Sequence, residues 1–122
     1  MDKVDISVWG PILWAQIDEL ARKYPNNPSE YEVETTFSRL WDIINSIPCD
    51  YCKKHAIIYI LTDTNKVDLR SKDHFQHWVW KFHDSVNKRR EKKGYKTNSI
   101  NFEEYIIKQN KLTRNFKTSV SK

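Results

Sequence analysis

The stretch VETTFSRLWDIINSIPCDYCKKHAIIYI, residues 33–60, decides the fold. Its first half places Val33, Phe37, Leu40, Trp41 and Ile44 at intervals of three and four, so that they share one face of an α-helix. Pro48 ends that helix, because it has no N–H to give and its ring clashes with the preceding turn. A second helical pattern begins immediately afterwards and carries Cys52, His55, Ala56, Tyr59 and Ile60 on one stripe. The pair Cys49 and Cys52 therefore stands at a helix start, between two helices. A thioredoxin-like domain also uses Cys-x-x-Cys, but it needs a strand before the pair and a parallel sheet around it. A helix before Pro48 speaks against that arrangement.

Working outward, a first helix is expected from about Val8 to Tyr24, with Leu13, Ile17, Leu20, Ala21 and Tyr24 on its apolar face. Pro25-Asn26-Asn27-Pro28 reads as a loop. The second helix is expected from Ser29 to Ile47, with Glu30, Glu32 and Glu34 in its early turns, where a helix favours negative charge. After the Cys-bearing third helix, Thr62 to Arg70 reads as a polar loop. Ser71 is a plausible cap for a fourth helix over Lys72 to Lys92, in which Phe75, Trp78, Val79, Phe82 and Val86 repeat at helical spacing. Gly94 reads as its stop. Asn101 and Glu104 form a capping-box-like pair that opens a short fifth helix. From Lys111 the chain loses its apolar period and reads as a frayed basic tail. The expectation is an all-α fold, a four-helix bundle with a short fifth helix, with a domain over residues 1–110 and a tail over 111–122.

Composition agrees. A chain of 122 residues holds one domain. Two Gly and four Pro are too few to punctuate an all-β sandwich or barrel. With 39% hydrophobic and 13% aromatic residues the chain is not wholly disordered. No apolar run is long enough to span a membrane, and MDKVDISVWG lacks the basic and apolar regions of a signal peptide. A cytoplasmic location is expected on those grounds. Two Cys permit at most one intrachain disulfide, so the chain is no disulfide scaffold.

Charge is uneven: residues 1–61 carry −3 and residues 62–122 carry +8, within a net charge of +5. Lys88, Arg89, Arg90, Lys92, Lys93 and Lys96 form the densest basic run. Such a run could meet nucleic acid, an acidic partner or the phosphates of a cofactor, and it could equally be a solvated helix face.

A Cys-x-x-Cys pair at a helix start can form and break a disulfide, and the helix dipole with Lys53 and Lys54 nearby favours a thiolate. Thiol redox chemistry is the expected use. Zinc binding by Cys49, Cys52 and His55, with His74 or His77 reaching over from the fourth helix, stays open, although a second knuckle pair is missing. So does a reading of the two cysteines as simply buried.

A dithiol on a helical scaffold needs an electron acceptor. Trp9, Trp14, Trp41, Tyr51, Trp78, Trp80, Phe82 and His83 are aromatic enough to line a pocket for a planar ligand, and each Trp needs a partner for its N–H when buried. His83 and Asn87 fall at i, i+4 beside Val86, and Lys88 to Lys96 stand where cations could pair with phosphates. A planar, phosphate-bearing redox cofactor fits, and FAD is the natural candidate because it accepts two electrons from a dithiol.

These motifs, in this order, resemble the Erv/ALR family of FAD-linked sulfhydryl oxidases, and most of all its small members encoded by large DNA viruses. The resemblance is carried by Trp9-Gly10-Pro11-Ile12-Leu13-Trp14, Tyr24-Pro25, Ile47-Pro48-Cys49-Asp50-Tyr51-Cys52 with His55, Phe75-Gln76-His77-Trp78, and His83-Asp84-Ser85-Val86-Asn87 with Lys92, over about residues 8 to 105. It implies FAD held within the bundle and a homodimer. It also implies Cys52 as the flavin-proximal thiol and Cys49 as the thiol that exchanges with substrate. Trp9, Trp14, Tyr24, His55, Trp78, His83, Val86, Asn87 and Lys92 match cofactor-binding positions, and Phe102 and Tyr105 align loosely with an aromatic–Tyr pattern. Asp18 stands where the family usually has His, and Asp84 where it usually has Asn.

The second, distal Cys pair of cellular relatives is missing, so electrons are expected directly from a separate thiol protein, either thioredoxin-like or a small Cys-x-x-Cys partner. They would pass to O2 as H2O2, with no metal, nucleic acid or membrane involved. The viral resemblance implies the host cytoplasm, or the virion, as the place of action. The competing reading is a non-enzymatic zinc- or nucleic-acid-binding module built on the Cys pair and the basic half.

Overall fold

Each helix begins where a side chain can take up the N–H groups that a helix start leaves without partners. The structure, a computed structural model, describes residues 5–120, with side chains described through residue 113. Its elements are α1 (Ile6–Arg22), α2 (Glu30–Asn45), α3 (Asp50–Leu61), α4 (Lys72–Lys92) and α5 (Phe102–Val120), with a 3-10 turn at Asp63–Asn65. Among the described residues there is no strand.

Asp5 Oδ1 accepts from the Ser7 N–H at 2.9 Å to open α1. Ser29 and Glu32 close a full capping box on α2, at 3.2 and 2.9 Å. Ser71 caps α4 by accepting from the His74 N–H. Asn101 Oδ1 accepts from the Glu104 N–H at 2.9 Å, so the spacing of those two residues does mark the start of α5. Caps of this kind contribute about 1 kcal/mol each. Gly94 takes φ +91°, a left-handed conformation that turns the chain after α4.

The principal contact is between α1 and α4. α2 packs on α1, α3 on α2, and α5 on both α1 and α4. Ile17, Ala21, Ile44, Phe75 and Val79 have no exposed surface and form the centre of the core. The connection from α3 to α4 is tied down by aromatic donors: the Tyr24 hydroxyl donates to the Leu69 carbonyl at 2.6 Å, and the Trp78 indole N–H donates to the Asn65 carbonyl at 2.9 Å.

Two expectations are corrected. Phe37 is 40% exposed and lies edge-on to Trp41 rather than in the core. Periodicity names the face of α2 but not where its partner helices stop covering it. The fifth helix is also not short: it runs 19 residues through Val120. The sequence beyond Lys111 has no Gly or Pro to break the backbone, and the helix continues. No helix among the described residues is long and apolar enough to cross a membrane.

Candidate functional site

Pro48 delivers the chain to α3 so that Cys49 is its N-cap, with φ −100° and ψ 114°. The Cys49 sulfur accepts from the Cys52 N–H at 3.2 Å, where a helix end favours negative charge. One turn on, Cys52 turns inward and lines a cavity of about 300 Å3, whereas Cys49 is not part of its wall. Both side chains are partly buried thiols. Burial pushes the Cys52 thiol up to about 11, the adjacent Cys49 sulfur adds to this, and Arg89 and Arg90 pull the other way. The expected stabilisation of a thiolate by the helix end is therefore outweighed at Cys52 by the loss of water.

The first cavity lies between three helices. α1 contributes Trp9, Leu13 and Trp14; α3 contributes Cys52, His55 and Tyr59; α4 contributes Phe82, Val86, Arg89 and Arg90, and its C-cap is Lys93. Tyr51, more than half exposed, stands at its edge, edge-on to His55 and under the Lys93 ammonium at 4.3 Å from the ring centre. Desolvation, then the charges of Arg89, Lys93 and Lys54, lower the pKa of His55, which leaves it a neutral imidazole at pH 7.

A second cavity of about 570 Å3 adjoins the first. Both are walled by Ile6, Trp14, Val86, Arg90 and Tyr95. The polar side chains on its wall include Asp18 from α1, His83, Asp84 and Asn87 from α4, and Tyr105 and Lys108 from α5. His83 stacks on Trp14 at 3.8 Å with the rings 8° from parallel. Burial pushes His83 down to about 4, Asp84 opposes that shift and Lys108 adds to it. Asp84 is paired with Lys88 at 2.9 Å. Asp18 Oδ1 accepts from the Tyr105 hydroxyl at 2.8 Å, and burial raises the Asp18 pKa.

Two adjoining stripes of α4 explain this layout. Phe82, Val86, Arg89, Arg90 and Lys93 follow the helical repeat on one stripe, and Trp80, His83, Asp84 and Asn87 follow it on the next.

The expected site residues divide accordingly. Trp9, Trp14, His55 and Val86 line the first cavity, and Trp14, His83, Val86 and Asn87 line the second. Trp78, Tyr24 and Lys92 line neither. Trp78 and Tyr24 are core residues whose polar atoms are taken by loop carbonyls. Lys92 lies six residues beyond Val86, on the far side of α4, whereas Lys93, seven beyond, returns to the cavity stripe. Trp41 packs against Phe37 away from both cavities, and the Trp80 N–H donates to the Ile100 carbonyl at 2.8 Å. Buried indoles here are thus satisfied by the protein itself, and only some of them face a ligand-sized space. Phe102 packs on His77 and Trp80, and Tyr105 reaches the second cavity.

Arg89, Arg90 and Lys93, from the basic run expected near phosphates, line the first cavity, and Tyr59 and Tyr95 join them as wall residues beyond the sequence-expected set. Spacing from Val86 finds the three cations, and spacing from Cys52 finds Tyr59. Tyr95 follows the Gly94 turn and carries no periodic signal. No three His, Cys, Asp or Glu side chains among the described residues gather as a metal site. His74 and His77 are engaged elsewhere, with Ser71 and with Trp80 and Phe102. The zinc alternative therefore has no support.

Residues 11–106 match the Erv1 / Alr family. An FAD-linked sulfhydryl oxidase of African swine fever virus (isolate Tick/Malawi/Lil 20-1/1983) is 33% identical over 85 residues, 70% of each chain. A putative FAD-linked sulfhydryl oxidase, 347L, of Invertebrate iridescent virus 6 is 31% identical over 94 residues, covering 73% of this chain and 85% of its own. Among solved structures, the FAD-binding domain of Erv1 from Saccharomyces cerevisiae superposes with a TM-score of 0.72 at 20% identity, over 84% of this chain and 90% of that one. An all-helical fold is what the solved yeast domain and this structure have in common. The chain belongs to the Erv1 / Alr family.

Proposed function

We propose that this protein is an FAD-linked sulfhydryl oxidase that forms disulfide bonds in partner proteins through Cys49 and Cys52. The observation that carries this is the division of the pair across a wall: Cys52 lines the aromatic cavity while Cys49 caps the helix outside it. The residues present suit FAD. Trp9, Trp14, Tyr59 and Phe82 offer flat apolar surface beside Cys52, and Arg89, Arg90 and Lys93 offer charge for phosphates. The adjoining second cavity offers His83 and Asn87 as polar partners. Both spaces fall in the size range of small-molecule sites.

In the oxidised pair, a substrate thiolate attacks the Cys49 sulfur. An S–S bond forms to substrate, the Cys49–Cys52 bond breaks, and Cys52 leaves as a thiolate. A second substrate thiolate then attacks the substrate sulfur of the mixed disulfide and releases Cys49. The substrate is oxidised by two electrons and the pair is reduced by two. Arg89 and Arg90 favour the departing charge on Cys52, against the burial that opposes it. When bound, FAD would supply the two-electron acceptor for the reduced pair, with O2 as final oxidant and H2O2 as product. Trp9, Trp14, His55, His83, Val86 and Asn87 are the residues assigned to holding it.

The substrate is a thiol-bearing protein, thioredoxin-like or a small Cys-x-x-Cys partner, that meets Cys49 directly. Action in the cytoplasm of an infected cell and assembly as a homodimer belong to the same proposal. The viral relatives support the first, and exposed Val8 and Ile12, one turn apart on α1, support the second. Cys52→Ser is expected to abolish O2 consumption with a dithiol substrate while the protein retains its flavin. Turnover surviving in that variant contradicts the assignment.

A further inference from the structure

The mouth of the first cavity carries positive charge that the protein does not neutralise. Its wall holds Arg89, Arg90 and Lys93 and no carboxylate. The ion pairs among the described residues engage Lys23, Lys66, Arg70 and Lys88, so Lys53, Lys54, Arg89, Arg90 and Lys93 are in none of them. Besides Cys49, the charges that act on Cys52 are Arg89 and Arg90, and those that act on His55 are Arg89, Lys93 and Lys54. Asp5, whose pKa Arg90 helps to lower, lies on the wall of the second cavity. A bound FAD brings two phosphate charges, which Arg89 and Arg90 suffice to answer. That leaves Lys53, Lys54 and Lys93 against Asp50, the single acidic residue of α3.

These three lysines are gathered round the Cys-bearing turn. Lys53 is one turn beyond Cys49 on the same stripe of α3, and its backbone N–H donates to the Cys49 carbonyl. Tyr51, between the two cysteines and more than half exposed, accepts from the Lys93 ammonium, which lies 4.3 Å from its ring centre. That contact fixes the end of a long side chain from the α4 C-cap to the turn that carries both sulfurs. Lys54 follows Tyr51 by three residues, on the same side of α3.

A substrate protein has to bring its thiolate to Cys49 past this rim, which draws in negative charge beside the attacking sulfur and opposes positive charge. The phosphates of a nucleic acid would meet the same lysines. The basic run does not continue from them as a stripe, however: Lys88 is neutralised by Asp84, and Lys92 lies on the far side of α4.

We propose that Lys53, Lys54 and Lys93, the last held on Tyr51, form a docking rim for substrate proteins whose exchanging cysteine is flanked by acidic residues. The proposal rests on Cys49 being the thiol that meets substrate, as in the oxidase reading above.

The test reads exchange at Cys49 without flavin. Cys52→Ser leaves Cys49 as the one thiol of the full chain, and 2,2′-dithiodipyridine caps it as a mixed disulfide with an uncharged group. A peptide thiolate that attacks the Cys49 sulfur forms a new S–S bond and breaks the bond to the pyridyl sulfur. The departing 2-thiopyridone takes the electron pair and a proton, and its absorbance gives the rate. Three single-cysteine peptides differ only in flanking Glu, Gln or Lys. Each rate is divided by that of the same peptide with free 2,2′-dithiodipyridine, which removes differences between the peptide thiols themselves.

At low ionic strength the Glu peptide is expected to react about tenfold faster than the Lys peptide, with the Gln peptide between them. The difference should shrink to about twofold in 0.5 M salt, which screens charges beyond a few ångströms. Lys54→Gln with Lys93→Gln in the same background should cut the tenfold preference to about threefold. The salt series needs neither of those two substitutions, so it stands even if they impair folding. Equal normalised rates at low salt, a preference that persists in 0.5 M salt, or one that the two substitutions leave intact would each overturn the rim. Equal rates together with binding of a duplex oligonucleotide at physiological salt would overturn it in favour of nucleic acid. A Cys49 that exchanges with none of the peptides would overturn the reading on which the rim rests. Because no flavin takes part, failure to bind FAD counts against the oxidase reading alone.

Discussion

His83 lies flat against Trp14 in the wall of the second cavity, where water cannot readily solvate an imidazolium. Its pKa is pushed from 6.5 down to about 4, chiefly by burial. Between those values the unfolded chain binds a proton that the folded chain refuses, so stability rises with pH across that window. The contribution is fully present above about pH 6.5, is lost as pH falls toward 4, and amounts to ~3 kcal/mol at most. Asp18 acts in the opposite sense. Its carboxyl is raised by burial, and the stability it contributes is lost as pH rises through its folded value. Thermal melts of the flavin-free protein from pH 4 to 7 should therefore be steeper in the wild type than in His83→Asn, and the difference between the two curves isolates His83. Parallel curves would mean that His83 is not buried as a neutral base.

At the same scale, the chemistry of the pair was legible because Cys-x-x-Cys carries its meaning in the spacing and in Pro48. The balance of forces on Cys52 was not. Helix-end charge is visible in a sequence, but the desolvation that outweighs it depends on tertiary packing, which sets Cys52 in a cavity walled also by Trp9, Leu13 and Phe82 of other helices.

Among the elements, α2 tests the value of local signals. Ser29 and Glu32 form a reciprocal cap, exposed and remote from both cavities. Ser29→Ala should cost about 1 kcal/mol, a few degrees in Tm, with flavin affinity unchanged. Trp78 tests the converse. It is buried, donates to Asn65 and lines neither cavity, so Trp78→Phe should lower stability by about 1 kcal/mol and leave flavin affinity where it was. A large loss of flavin affinity would return Trp78 to the cofactor site.

Helix starts were legible because caps are short-range: Ser29, Ser71 and Asn101 each announce a helix within three residues. Faces were legible only where a partner helix covers them. Phe37 shares the period of Leu40 and Ile44 yet stays largely exposed against Trp41. The end of α5 is not legible in the sequence, because loss of apolar period is not loss of helix and nothing between Lys111 and Val120 breaks one.

For the whole molecule, the packing of α1 on α4 creates the function. The two helices bring Trp14 against His83 and set two cavities side by side, an aromatic one that reaches Cys52 and a second that reaches Asp18. The run from Lys88 to Lys96, which read from the sequence as one basic patch, divides in three dimensions. Lys88 neutralises Asp84, Arg89, Arg90 and Lys93 face the first cavity, Lys96 lines the second, and Lys92 faces away. Sequence order could place those charges on one helix but could not say that a cavity begins at that helix's edge.

Adding FAD to the purified chain, removing what does not bind, and following the flavin absorption band under anaerobic dithiothreitol tests the central claim most directly. The account predicts a yellow protein whose band bleaches with dithiol and returns on admission of air with release of H2O2, and neither change in Cys52→Ser. A colourless protein that takes up no FAD, or a bound flavin whose band dithiol leaves untouched, would contradict it.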